Sequence, residues 1–220
     1  SGAGTSRFVN SANLAIGRST VTSSTSFMSS SLLKVDWSNL PIPGTHEMVN
    51  ANITLTRLSG GENDQESITI SVCEVMTPWN ENVTWNSPSG NNANWNLRGG
   101  ESLDDCDVPI DTSTINYNSL NITFDITYAV QRAHLSGADS VDLKFRIESH
   151  TNDSWSFASS DYSTDETKRP ALDLTWRTGS QWLPSQATGL MPVDADTIWN
   201  FSSSRPKGVD QVSHSFNSSV

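Results

Sequence analysis

Basic residues are scarce in this chain. Lysine and arginine number 13 against 24 aspartates and glutamates, a net charge of −11 over 220 residues. No lysine–arginine cluster stands anywhere in the sequence. That argues against a nucleic acid partner and against an anionic membrane surface. Long apolar runs are missing too, since none approaches the roughly 20 residues of a membrane span. The four histidines, His46, His134, His150 and His214, are isolated, with no H-x-x-x-H or H-E-x-x-H spacing. Cysteine is limited to Cys73 and Cys106. A zinc site needs four ligands, usually in close pairs, so none is expected. The chain opens Ser1-Gly2-Ala3-Gly4, without a start Met or an apolar signal core. A removed signal, or excision from a longer protein, is the expectation.

What is abundant is period-2 alternation. Val141, Leu143, Phe145 and Ile147 alternate with Asp142, Lys144, Arg146 and Glu148. Leu172, Leu174 and Trp176 alternate with Asp173 and Thr175, and Ile68, Ile70 and Val72 with Thr69 and Ser71. A strand sends successive side chains to opposite faces, so each run is apolar on one face and wet on the other. Further strand candidates are 14–17, 27–37, 48–58 and 121–126. Only 127–135 reads as a short helix, with Val130, Ala133 and His134 on one side and Thr127 as its cap. Strands of this kind predict an all-β fold, antiparallel sheets packed as a sandwich. Long Gly/Asn/Ser loops near 60–66 and 87–107 are where binding would reside.

The chain changes character after Arg177. The expected organisation is a sandwich over 1–177, a Pro/Gly/Ser linker over 178–196, and a strand-forming tail over 197–220. The stretch after Trp176 is too short for an ordinary independent core. Yet Trp199, Phe201, Val212 and Phe216 are costly to leave wet, so the tail must pack on something. It would be a donor strand for a neighbouring module or the start of a next one.

Cys73 lies in the strand-like run 67–75 and Cys106 in the acidic loop Asp104-Asp105-Cys106-Asp107. A disulfide between them is expected in an oxidising compartment; the alternative is one buried thiol and one loop thiol. Asn-x-Ser/Thr sequons stand at Asn52, Asn82, Asn121, Asn152, Asn200 and Asn217. Asn52 and Asn121 fall opposite the apolar residues of their strand-like runs, where a glycan has room. In so Asn/Ser/Thr-rich a chain, some sequons arise by chance.

The run Trp79-Asn80-Glu81-Asn82-Val83-Thr84-Trp85-Asn86-Ser87-Pro88 reads W-x-E-x-x-T-W-x-x-P. Before it come Leu33-Lys34-Val35-Asp36-Trp37 and Ala51-Asn52-Ile53-Thr54-Leu55; after it come Phe124-Asp125-Ile126-Thr127, Phe157-Ala158-Ser159-Ser160-Asp161 and Pro170-Ala171-Leu172-Asp173-Leu174. In that order, over about 7–176, the elements resemble the DNRLRE-type domain of large secreted bacterial and archaeal proteins. The resemblance implies a jelly-roll-like β-sandwich, and some members of that family are classed as carbohydrate-binding modules. The chain departs from the pattern in having no acidic residue just before Phe8, and the pattern does not cover the tail. Physically, Trp79, Val83 and Trp85 share parity and would line one face of an extended run, plugging an end of the core. Glu81 would then accept backbone hydrogen bonds from the loop that follows.

Catalysis needs a nucleophile with a base, a carboxylate pair or a metal centre. Glu81 with Asp104 or Asp105 is a conceivable glycosidase pair, but nothing in the sequence brings them together, and ordinary solvated carboxylates are the alternative. Asp104, Asp105 and Asp107 are candidate calcium ligands, as are Asp161, Asp165 and Glu166; ordinary solvated carboxylates are the alternative. Trp95 and Trp155, in Asn/Asp-rich surroundings, are candidate sugar-stacking rings, the alternative being rings turned inward to anchor their loops. The expectation is a non-catalytic extracellular structural module of a cell-surface protein or filament, whose partners are copies of itself or neighbouring repeats. The rival is a carbohydrate-binding module of a secreted polysaccharide-degrading protein.

Overall fold

The computed structural model describes residues 11–22, 25–40, 42, 46–59, 67–90, 94–148, 154–178, 199–200 and 215–216. In chain order the elements are β1 (Asn13–Thr22), β2 (Thr25–Ser29), β3 (Ser31–Asp36), β4 (His46–Ser59), β5 (Ile68–Glu74), β6 (Asp111–Ile115), β7 (Asn121–Asp125), α1 (Thr127–Leu135), β8 (Ser140–Ile147), β9 (Ser154–Ala158), β10 (Ala171–Thr178), β11 (Trp199–Asn200) and β12 (Ser215–Phe216). The chain divides into two units, 1–44 with 48–176 and 45–47 with 177–220.

The first unit is a jelly-roll-like antiparallel sandwich. One sheet has the order β10-β4-β9-β1-β2, with β7 also paired to β4; the other has the order β3-β8-β5-β6. The alternation explains the layers. β8 turns Val141, Leu143, Phe145 and Ile147 inward, β4 does the same with Ala51, Ile53 and Leu55, and β7 with Ile122 and Phe124. Phe124 and Phe145, from opposite sheets, meet edge to face with ring centroids 5.3 Å apart. The single run expected over 27–37 is instead two strands. β2 pairs with β1 and β3 with β8, so the chain changes sheet at Ser30. Ser31 Oγ donates to Ala15 O at 2.9 Å across that crossing.

α1 forms where expected and buries Ala129, Val130 and Ala133. Its start differs from expectation, because Thr127 does not cap it. Thr127 Oγ1 accepts from Ala51 N at 2.9 Å, tying the helix to β4 instead. The helix ends in a full Schellman arrangement, with Ala138 N bonded to Ala133 O, Gly137 N to His134 O, and Gly137 at φ +80°.

In the second unit β11 and β12 pair antiparallel, Trp199 standing opposite Phe216 and Asn200 opposite Ser215. Arg177 Nη2 reaches Glu47 Oε2 at 2.7 Å. Phe201 and Val212, named above as tail contacts, lie outside the described residues.

Candidate functional site

The long connection between β5 and β6 lies across the outer face of β5 and β8, and buried polar groups organise it. Cys73 and Cys106 form the expected disulfide, with Cα atoms 5.8 Å apart. Around it the chain continues the β5 ladder: Met76 N bonds Asp105 O at 2.8 Å, Asp107 N bonds Glu74 O at 3.0 Å, and Ile110 N bonds Val72 O at 2.9 Å. The connection thus comes back along β5 before entering β6.

Asp105 is the centre of this loop. It has no exposed surface, and its carboxylate accepts five bonds. Oδ1 takes Asn96 N (3.1 Å), Asn96 Nδ2 (3.1 Å) and Thr77 Oγ1 (2.8 Å). Oδ2 takes Leu97 N (3.0 Å) and Ser102 Oγ (2.8 Å). Burial pushes its pKa up, but the donors from Leu97, Ser102, Thr77 and Asn96 outweigh that and hold it below the ordinary aspartate value.

Lys144 is the counterpart from β8. It is buried, and its Nζ donates to Gly99 O (2.7 Å), Gly100 O (3.0 Å) and Glu101 Oε1 (2.6 Å). Three acceptors match the three N–H groups of an ammonium. Burial lowers its pKa, against the upward pull of Glu101. The alternation in β8 marked Lys144 as a solvated charge; the covering loop turns it into an internal clamp. Gly99 and Gly100 both have positive φ, +79° and +66°, and a Cβ on Gly99 would lie 2.6 Å from the Trp85 ring.

The tryptophan motif falls in this loop and corrects two expectations. Residues 79–90 form a series of turns and not an extended run, with Val83 N on Asn80 O, Thr84 N on Ser87 O and Asn80 N on Pro88 O. Trp85 packs against Gly99 inside the loop rather than plugging the sandwich core. Glu81 is exposed. The acceptor role assigned to it is filled by Asn80 Oδ1 for Asn82 N, Thr84 Oγ1 for Ser87 N and Ser87 Oγ for Gly90 N. Trp79 stands beside the Asp142 carboxyl without a well-formed hydrogen bond from its Nε1.

The candidate sugar rings are corrected as well. Trp95 is 6% exposed and Trp155 is 1% exposed, so neither offers a face to a sugar. Trp95 Nε1 donates to Thr84 O at 2.9 Å, and the Arg57 guanidinium lies 4.8 Å from the Trp155 ring centroid. Trp155 is a residue of β9 whose ring joins the sandwich core, and Trp95 is buried within the loop, so both rings fill apolar space.

The calcium trio does not converge. Asp104 is exposed, Asp105 is saturated by donors, and Asp107 accepts from Val108 N (2.8 Å) and faces Arg132 Nη1 (3.4 Å). A carboxylate filled with N–H and O–H donors has no lone pair to give a cation. Asp165 accepts from Thr167 N and Oγ1. Among the described residues no group of three His, Cys, Asp or Glu is placed to hold a metal.

Three sequons fall on described side chains. Asn82 is exposed on a turn. Asn52 and Asn121 sit on the outer face of the β4–β7 pair, where Asn52 is opposite Asp125, Thr54 opposite Thr123, and Thr56 opposite Asn121. Asn121 is exposed and Asn52 partly so. Asn152 and Asn217, and the side chain of Asn200, lie outside the described residues. Around the pinned loop, Met76, Leu97, Leu103 and Val108 are exposed apolar residues.

No protein-family model matches this chain, and no curated protein matches it. The resemblance to DNRLRE-type domains rests on the quoted residues alone.

Proposed function

We propose that this chain is a non-catalytic extracellular structural module of a cell-surface protein or filament, which assembles by strand exchange through its C-terminal tail. The observation that carries this reading is the position of β10. It ends its sheet, pairing only with β4 among the described strands, and it is the last strand before the tail in sequence. Its inward row, Leu172, Leu174 and Trp176, packs on the core yet stays only partly buried. An edge strand of this kind offers unpaired backbone groups and an unfinished apolar row to an added strand. A tail from the next copy would supply both. Head-to-tail contacts of this sort do not close on themselves and build filaments.

The buried disulfide suits an oxidising compartment. The Asp105 and Lys144 clamps support a rigid building block, because they commit the polar groups of the longest loop to internal bonds. The polysaccharide-binding alternative has lost its two ring candidates to the interior.

Deletion after Arg177 tests the proposal. Light scattering coupled to size exclusion, with negative-stain microscopy, should show assemblies for the full chain and a folded monomer for the deletion. A full chain that is monomeric at every concentration, or a deletion that assembles identically, refutes it.

A further inference from the structure

The two sequons on the β4–β7 pair are tied to each other in the folded state. Thr54 Oγ1 and Thr123 Oγ1 lie 2.9 Å apart, hydroxyl bonded to hydroxyl across the pair. These are the +2 residues of the sequons at Asn52 and Asn121. In the same register, backbone pairing extends from Asn52↔Asp125 to Thr56↔Asn121. Both acceptor asparagines therefore belong to a closed antiparallel ladder with their threonine hydroxyls occupied. An enzyme that transfers an oligosaccharide to Asn must take the Asn and the +2 hydroxyl together into one pocket, on a stretch of chain free to bend. The ladder provides neither condition.

We propose that Asn52 and Asn121 are glycosylated before β4 and β7 pair, and that the folded domain is refractory at both. This rests on the extracellular reading above and on the glycoprotein reading that adds N-linked glycans at these sequons. The order of the chain sets unequal windows. Among the described strands, the three that pair with β4, namely β7, β9 and β10, come later in the sequence. β7 begins about 60 residues after β4 ends, so β4 waits some 3–12 s for its first partner at ordinary synthesis rates. β7 has no such delay, because β4, its only partner among the described strands, already exists when Asn121 emerges. Occupancy is therefore higher at Asn52 than at Asn121. Once in place, the two glycans stand on one face, four residues apart along the ladder, about 14 Å.

The test uses a purified oligosaccharyltransferase with its lipid-linked donor. Three acceptors are compared: the folded unglycosylated chain, a peptide spanning 49–58, and a peptide spanning 119–127. Both peptides should accept the glycan at least tenfold faster than the matching sites of the folded chain. Equal rates on folded chain and peptides overturn the timing and leave the glycoprotein reading standing. Peptides that are not accepted at all sink the glycoprotein reading and the timing with it. In native material, glycopeptide occupancy should be higher at Asn52 than at Asn121; the reverse order also overturns the timing.

Discussion

Asp105→Asn is the sharpest test of the pinned loop, because it changes charge and hydrogen-bonding sense without changing shape. Oδ1 faces three donors and Oδ2 faces two. The new amide must point its NH2 at one set or the other. The Thr77 and Ser102 hydroxyls can turn and accept, but the backbone N–H of Leu97 or Asn96 cannot. At least one part-buried backbone N–H loses its acceptor, and the remaining bonds lose their charge assistance. Hydrogen bonds to a charged group are each worth roughly 1.5–3 kcal/mol, so a loss of about 3 kcal/mol is expected. For a domain of this size that corresponds to a Tm lower by roughly 6–12 °C. Urea unfolding followed by tryptophan fluorescence would measure it. Exposed Asp104→Asn is the control and should stay within about 0.5 kcal/mol of wild type. The sign with pH follows from the lowered pKa of Asp105. Its contribution is present above the unfolded value of about 4 and is lost as pH falls through the folded value below that. The gap between wild type and variant should be full at pH 7 and close below roughly pH 4. A variant within 1 kcal/mol of wild type at pH 7 would refute the role given to Asp105.

The cysteines should yield no free thiol under denaturing, non-reducing labelling, and the double substitution to Ala should lose about 3–4 kcal/mol in the chain-entropy model for a separation of 33 residues. Two glycines should differ. Gly99→Ala meets both a positive φ and the Trp85 ring and should cost about 2–3 kcal/mol, whereas Gly137→Ala meets only the positive φ and should cost about 1 kcal/mol. Chemical denaturation of the pair measures this, and equal losses would show that the ring contact does not matter.

The strands legible in full were those with one apolar face, β4, β5, β7, β8 and β10, together with α1; the run 14–17 caught part of β1, and 27–37 ran β2 and β3 together. β6 was missed because four of its five residues, Asp111 to Thr114, are polar, so it shows no alternation. β9 was missed because Trp155 and Phe157 sit in a serine-rich stretch that reads as a loop. The site was much less legible. The sequence gives three aspartates near Cys106 equal standing; only the donors gathered from Thr77 and the 96–102 stretch single out Asp105. Lys144 alternates like its neighbours on β8, and its burial is decided by a loop more than 40 residues away in sequence. Local patterns report on a residue's own strand. They do not report on what later lies on top of it.

In the proposed fibre, the disulfide would also have a mechanical consequence. Pulling on the two ends can extend only chain that is not short-circuited by a covalent bond. The 33-residue span between Cys73 and Cys106 is withheld from extension, which hides about 11–12 nm of contour length until the bond is reduced. A single-molecule pulling trace would lengthen by that amount on adding reductant. Each module would therefore yield a shorter reach under load in an oxidising medium than in a reducing one.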